Sequence, residues 1–234
     1  MNKILSFSLY GDDPKYTIGM KRNIELLENV YGDDWKIRIY LDDSVPREMA
    51  KEYSQMGAQV YNVTGTPIIG GMFWRFLPFD DKDVDVFCVR DADSRLMKRE
   101  KEAVDEWLSE GTSLHLMRDH PHHNYTVMGG MFGFNKAPNG TYSFVQDYKS
   151  FIHNDYRFKK MDDMRFLNRL YQKFNHSITS HEAYNHSSRN VDNNGNSYLD
   201  SGRQFPTIRK SKDEGFIGEI WNEDETYEYQ RSVL

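Results

Sequence analysis

Val84-Asp-Val-Phe-Cys-Val-Arg-Asp-Ala-Asp-Ser-Arg95 is an apolar run that ends in two carboxylates one residue apart, Asp91 and Asp93. The run alternates and is rich in β-branched and aromatic residues, which predicts a buried strand. Open α/β sheets take their ligands at the carboxyl ends of the strands. Two carboxylates at such an end, flanked by Arg90 and Arg95, suit a divalent cation that carries a phosphorylated ligand. Oxygen donors of this kind select Mg2+ or Mn2+. A lone D-x-D triplet also fits a surface turn whose aspartates cap the next helix, so the flanking chain has to decide.

Upstream, Ile4 to Leu9 reads as a strand and Tyr16 to Val30 as a helix, with apolar residues at Ile18, Ile24, Leu27 and Val30. Trp35 to Leu41 alternates as a strand. Ser44 is placed to cap a helix from Pro46 to about Met56, and Gly57 stops it before a strand from Ala58 to Val63. This β-α-β-α-β order predicts a largely parallel sheet. A loop from Gly65 to Gly71 leads into a short helix from Met72 to Leu77. Downstream, Lys98 to Ser109 is a charged helix with Ala103, Val104, Trp107 and Leu108 inward, ended by Gly111. Leu114 to Met117 reads as a strand. Met128 to Phe134 is apolar but glycine-rich, as where a backbone approaches a ligand. Helices are expected from Thr141 to Asn154 and from Asp162 to Phe174, then a short strand from Ile178 to His181. The polar stretch from Asn185 to Gly202 reads as a surface loop and the Glu-rich end as a surface segment.

The 234 residues fit one domain. With 38% hydrophobic and 14% aromatic residues the chain can bury a core and is not a disordered polar segment. The formal charge of −6 gives no global basic field for nucleic acid. The single cysteine, Cys88, lies inside the apolar run, so it excludes an intrachain disulfide and argues against a cysteine-based zinc site. No stretch approaches the roughly 18–20 apolar residues of a membrane span, and the first residues turn polar too soon for a secretory signal. The expectation is a soluble cytoplasmic protein.

A series of motifs follows in order around the D-x-D triplet. They are Phe73-Trp-Arg-Phe-Leu-Pro78, Arg90-Asp-Ala-Asp-Ser-Arg95, Arg99-Glu100, Glu106-Trp-Leu108, His115-Leu-Met-Arg-Asp-His-Pro121 and Gly129-Gly-Met-Phe-Gly133. Over roughly residues 1–220 the series resembles small nucleotide-sugar glycosyltransferases of the GT-A type. These are found in large DNA viruses, one of which decorates a capsid glycan, and in some cellular genomes. The resemblance implies an α/β fold with a single GT-A-like, Rossmann-like domain over 1–234 and a mixed, mostly parallel central sheet flanked by helices. Residues 1–95 would be the nucleotide-binding half, 96–220 the acceptor and sugar half, and 221–234 a tail. The location would be the host cytoplasm for a viral chain.

The implied activity is transfer of a sugar from a nucleotide diphosphate sugar, UDP-linked by preference, to a hydroxyl acceptor such as a glycan, with Mn2+ or Mg2+ as cofactor. Asp91 and Asp93 would hold the metal and the diphosphate or ribose, Asp93 as the direct ligand. Ser8, Tyr10 and Gly11 would lie against base and ribose. Arg75 would reach pyrophosphate or sugar, or else pair with an acidic neighbour, and Arg90 would sit beside the phosphates. Gly129 and Gly130 would let the backbone approach donor sugar and acceptor. Asp162, Asp163 and Asp119 are the catalytic candidates, as general base or as contacts to sugar hydroxyls. A favourable charge at a helix start is the alternative for Asp162 and Asp163. His120 is a second candidate for acid–base work. His181 would be a third metal ligand, or a hydrogen-bonded structural histidine. His122 and His123 read as a solvated loop. Arg209, Lys210 and Lys212 would meet phosphate or form ordinary basic surface.

Two other functions use similar residues. A phosphatase of the haloacid-dehalogenase type also places D-x-D after a buried strand, but near the N-terminus and followed by Thr or Val. Here Ser94 follows, at mid-chain. A non-catalytic nucleotide-sugar-binding module would keep the same polar strand ends.

Overall fold

The computed structural model describes residues 1–66, 70–137, 142–152, 159, 161–183, 202–211 and 213–227. Strands β1 (Lys3–Leu9), β2 (Trp35–Leu41), β3 (Gln59–Asn62), β4 (Val86–Arg90), β5 (Leu114–Arg118), β6 (Met131–Asn135) and β7 (Ile178–Glu182) form one sheet in the order β3-β2-β1-β4-β6-β5-β7. Every pairing is parallel except those of β6, which runs antiparallel to both β4 and β5. The expected parallel half is therefore present. The apolar, glycine-rich segment from Met128 to Phe134, for which no element was expected, is in part the antiparallel strand β6.

Five helices cover the sheet: α1 (Pro14–Tyr31), α2 (Arg47–Gln55), α3 (Lys98–Glu110), α4 (Phe144–Phe151) and α5 (Asp162–Phe174). A 3-10 helix, Gly71–Asp80, replaces the short helix expected from Met72 to Leu77. Asp13 caps α1 by accepting from the Lys15 N–H at 3.0 Å, with Pro14 in the first turn. Gly111 ends α3 in the left-handed conformation, φ 70°. Ser44 is not the cap of α2. Its hydroxyl donates to Asp42 and accepts from the Gly11 N–H, and Pro46 stands at the helix start without a side-chain cap.

The core lies in two layers, one on each face of the sheet. Leu5, Phe7, Leu9, Ile37, Ile39, Val86 and Cys88 pack against Met20, Ile24, Tyr53 and Trp107 of the first three helices. Ile4, Phe87, Val89, Leu116, Phe132 and Phe134 pack against Phe73 and Phe76 of the 3-10 helix and against α4 and α5. The second layer is dominated by aromatic edges, for example Phe76 with Phe132 at 5.6 Å and Phe79 with Phe87 at 4.7 Å. It fixes the 3-10 helix, and hence Arg75, against the strand ends. No described helix is long and apolar enough to cross a membrane. The polar stretch expected as a surface loop from Asn185 lies outside the described residues up to Gly202, as does Lys212.

Candidate active site

A cleft of about 540 Å³ opens at the carboxyl ends of β1 and β4 and is closed opposite by the segment before β6. That volume is in the range of small-molecule sites. Strand alternation decides which side chains enter it. Along β4, Val86 and Cys88 face one layer and Phe87 and Val89 the other. The same parity sends Asp91 towards the 3-10 helix and Arg90 towards α3. Arg90 is 2% exposed; its Nε donates to Glu100 Oε1 at 3.1 Å and its Nη2 to Tyr31 Oη at 3.1 Å. It does not reach the cleft, so the phosphate role expected of it is replaced by a buried structural network.

The same parity along β1 builds the opposite anchor. Ser6 and Ser8 share a face with Ile4. Ser6 Oγ donates to the Arg75 carbonyl at 2.7 Å, and the Arg75 N–H donates to Ser8 Oγ at 2.8 Å. Two serines of one strand thus clamp the backbone of Arg75. Its guanidinium bridges two carboxylates: Nη1 pairs with Asp91 Oδ1, and Nη2 donates to Asp163 Oδ2 at 2.9 Å. Burial works against this cation, but Asp91 and Asp163 outweigh it and its pKa is raised. A Cβ at Gly129 would lie 2.5 Å from Asp163 Oδ2 and 2.9 Å from Arg75 Nη2, and one at Gly130 would collide with the Asp91 carboxylate. The two glycines are the condition for the carboxylates and the guanidinium to meet at this point.

Asp93 is 8% exposed. Burial, then the neighbouring Asp91 charge, raise its pKa to about 6; Lys15, with Nζ at 3.8 Å, offsets this only in part. The cleft lining therefore carries three carboxylates, Asp91, Asp93 and Asp163, against one guanidinium. Carboxylates one residue apart and short of positive charge fit Mg2+ or Mn2+, which bind through one or two carboxylates and complete their shell with phosphate oxygens and water. Among the described residues no three or more His, Cys, Asp or Glu side chains form a group that could hold a metal by itself.

The rest of the lining has two characters. Ser8, Tyr10 and Tyr16 form the wall next to β1, with Tyr10 51% exposed and edge-on to Trp74 at 6.0 Å. Across from it stand His120, His122, His123, Met128, Phe216 and Ile220. The His120 ring stacks on Phe216 at 4.4 Å. His123, expected in a solvated loop, is buried, whereas His122 is exposed at the mouth. Phe216, Gly218 and Ile220 come from the end of the stretch expected to serve sugar and acceptor, 96–220, and the Trp221 N–H donates to the Asp93 carbonyl at 2.8 Å. The sequence signal was the apolar pair Phe216-Ile217 set between two glycines.

Of the expected site residues, Ser8, Tyr10, Arg75, Asp91, Asp93, Gly129, Gly130 and Asp163 meet in the cleft. Gly11, Arg90, Asp119, Asp162 and His181 are not among its lining residues. Gly11 lies in an exposed turn, tied to Ser44 by its N–H at 2.7 Å. Asp162 is fully buried at the start of α5 and accepts from the Lys159 N–H at 2.6 Å, which is the helix-start reading. Asp119, also fully buried, pairs with Arg99 and accepts from the Ile217 N–H at 2.9 Å. It ties the C-terminal segment to α3. His181 stands on the edge strand β7, three strand spacings from β4, or about 14 Å. Its Nδ1 shares a hydrogen bond with His115 Nε2 at 2.9 Å, and burial lowers both imidazoles' pKa values. Its place is that of a structural histidine. Arg209 is 4% exposed and packs on Phe216 outside the lining.

No family model and no curated protein matches the chain. Among solved structures, S. aureus TarS, residues 1–349, is similar at 12% identity and a TM-score of 0.54, over 77% of this chain and 58% of that one. The same protein in complex with UDP is similar at 10% identity and a TM-score of 0.50, over 77% and 57%. The mannosyltransferase PcManGT from Pyrobaculum calidifontis, in complex with GDP-Man and Mn2+, is 11% identical over 58% of this chain and 45% of that one; its TM-score of 0.45 carries no argument. The chain thus spans less than two thirds of each of these solved chains. Likeness at such identities concerns architecture alone: one α/β domain with a seven-stranded, mostly parallel mixed sheet flanked by helices, GT-A-like as the motif series implied.

Proposed function

We propose that the chain is a glycosyltransferase that moves a sugar from a nucleoside diphosphate donor, UDP-linked, to a hydroxyl of a glycan, with Mn2+ or Mg2+ at Asp91 and Asp93. The observation that carries this reading is the convergence of Asp91, Asp93, Asp163 and Arg75 at the ends of β1 and β4, opposite two glycines. Three carboxylates against one guanidinium repel a diphosphate; a divalent cation cancels that excess of negative charge and offers the phosphate oxygens a ligand site. The UDP bound by the TarS structure is in keeping with a uridine donor.

In the reaction the acceptor oxygen bonds to the anomeric carbon while the bond from that carbon to the diphosphate oxygen breaks. The diphosphate leaves with the electron pair, and the acceptor proton passes to a base. The cation, when bound, neutralises charge on the departing diphosphate. Ser8, Tyr10 and Tyr16 supply the wall for base and ribose. Asp163, the only one of the three catalytic candidates that lines the cleft, meets sugar or acceptor hydroxyls, its carboxylate oriented by Arg75. The backbone at Gly129 and Gly130 leaves room for the sugar. The stretch 1–95 serves the nucleotide and 96–220 the sugar and acceptor.

Calorimetry with UDP and GDP, with and without Mn2+, tests this reading. Binding of one nucleotide that requires the cation and is lost in Asp93→Ala, but not in the exposed Lys51→Ala, is the expected result. No affinity for any common nucleoside diphosphate with Mn2+ present would refute it.

A further inference from the structure

The cation place at Asp91 is already served by a side chain of the protein. Arg75 reaches Asp91 through Nη1 and Asp163 through Nη2, while its Nε is buried without a hydrogen-bond partner. The two serine bonds hold the Arg75 backbone and not its head, so the guanidinium can turn without moving the 3-10 helix. With Arg75 on Asp91, an incoming divalent ion finds only Asp93 uncommitted to that guanidinium, with Lys15 beside it at 3.8 Å. A diphosphate changes the contest, because it offers a guanidinium oxygen acceptors arranged for bidentate hydrogen bonding.

We propose that Arg75 is an internal counter-ion that holds Asp91 until cation and diphosphate arrive together, and that by passing from Asp91 to the phosphate it couples the two binding events. Arg75 is then a positioning residue for the cation and a direct contact of the diphosphate. The proposal rests on the donor reading above. By linkage the coupling is reciprocal: UDP must tighten Mn2+ by the same factor as Mn2+ tightens UDP.

The test is titration of free Mn2+ by its electron paramagnetic resonance signal, with and without UDP, in the wild type, Arg75→Met, Arg75→Lys and Lys15→Met. In the wild type Mn2+ alone is expected to bind weakly and UDP to tighten it by about two orders of magnitude, of the size of a strong allosteric coupling. Arg75→Met should bind Mn2+ alone about tenfold more tightly and lose most of the UDP effect, as expected of removing a competing charge-assisted contact. Arg75→Lys, which keeps a charge but cannot fork between two carboxylates, should fall between them and serves if the methionine variant does not fold. Lys15→Met should also raise Mn2+ affinity but keep the UDP effect, which separates coupling from general electrostatics. An unchanged or weaker affinity for Mn2+ alone in folded Arg75 variants, or an intact UDP effect, overturns the proposal and leaves the donor reading standing. Absence of any joint binding of Mn2+ and UDP by the wild type overturns both.

Discussion

Gly130→Ala separates stability from function. The added methyl group meets the carboxylate of Asp91, the far end of a short side chain, and not backbone. That carboxylate can swing, because Asp91 is 44% exposed in its side chain. Overpacking costs about 1–3 kcal/mol; where the obstacle yields, about 1 kcal/mol applies, or roughly 2–4 °C of Tm for a chain of this size. Swinging Asp91 away breaks its pair with Arg75 and removes one carboxylate from the cation. A charged hydrogen-bonding contact is worth about 1.5–3 kcal/mol, so donor affinity should fall roughly 10- to 100-fold. Thermal melting and calorimetry with UDP and Mn2+ on the same preparation read both quantities. Gly129→Ala, whose methyl group presses on Asp163 Oδ2 at 2.5 Å, should act on the other carboxylate in the same way. If Gly130→Ala binds the nucleotide as the wild type does, Asp91 is not a donor-site carboxylate. If it unfolds the protein, the backbone has no freedom there and the reasoning from Asp91's mobility is wrong.

Other outcomes concern the groups that the structure keeps out of the cleft. Arg90→Met strands Glu100, 1% exposed, without its cation; breaking a buried pair costs about 3–5 kcal/mol, so Tm should drop by roughly 6–20 °C while the folded protein still binds nucleotide. A loss of binding with unchanged Tm would return Arg90 to the phosphates. The His115–His181 pair gives a pH signature, since both imidazoles sit below their ordinary value in the folded chain. The unfolded chain takes up those protons first as pH falls, so stability is full above about pH 6.5 and declines below it by about 1.4 kcal/mol per pH unit for each histidine until the folded pKa values are reached. Asp93, whose pKa is raised to about 6, and Asp119, also raised, oppose this slope as pH falls further. The reading is therefore the difference between wild type and His115→Gln in urea midpoints over a pH series: the variant should lose less stability on acidification, and identical pH profiles would contradict the buried neutral pair.

The parallel half of the sheet was readable because each strand and helix carries its own periodicity, from Ile4 to Val63. Asp91 and Asp93 were readable because a buried strand ends at them. Arg90 misled because proximity in sequence hides parity: one residue along a strand reverses the face, and Arg90 belongs to Tyr31 and Glu100. β6 was missed because glycines that admit carboxylates and a guanidinium at its start lower its strand signal. Asp119, Asp162 and His181 show the converse. Each is polar and near a strand end or helix start, yet each is fully buried and bonded to the fold. The partners of Asp119 and His181 lie far off in sequence and leave no local trace, whereas Asp162 bonds to Lys159 three residues before it, at the helix start that was its alternative reading. The contribution of Phe216 and Ile220 to the cleft depends on the bond from Trp221 to the Asp93 carbonyl, a contact that no pattern in the last residues announces.

The central claim is that a cation beside Asp93 and Asp91 carries the diphosphate of the donor. Crystals soaked with UDP and Mn2+, measured for the anomalous scattering of manganese, test it most directly. The account requires one manganese peak within coordination distance of the Asp93 carboxylate and of both phosphates, with the uridine along Ser8 and Tyr10. Manganese at the histidines of the far wall, or UDP bound with no metal between it and the aspartates, would contradict it.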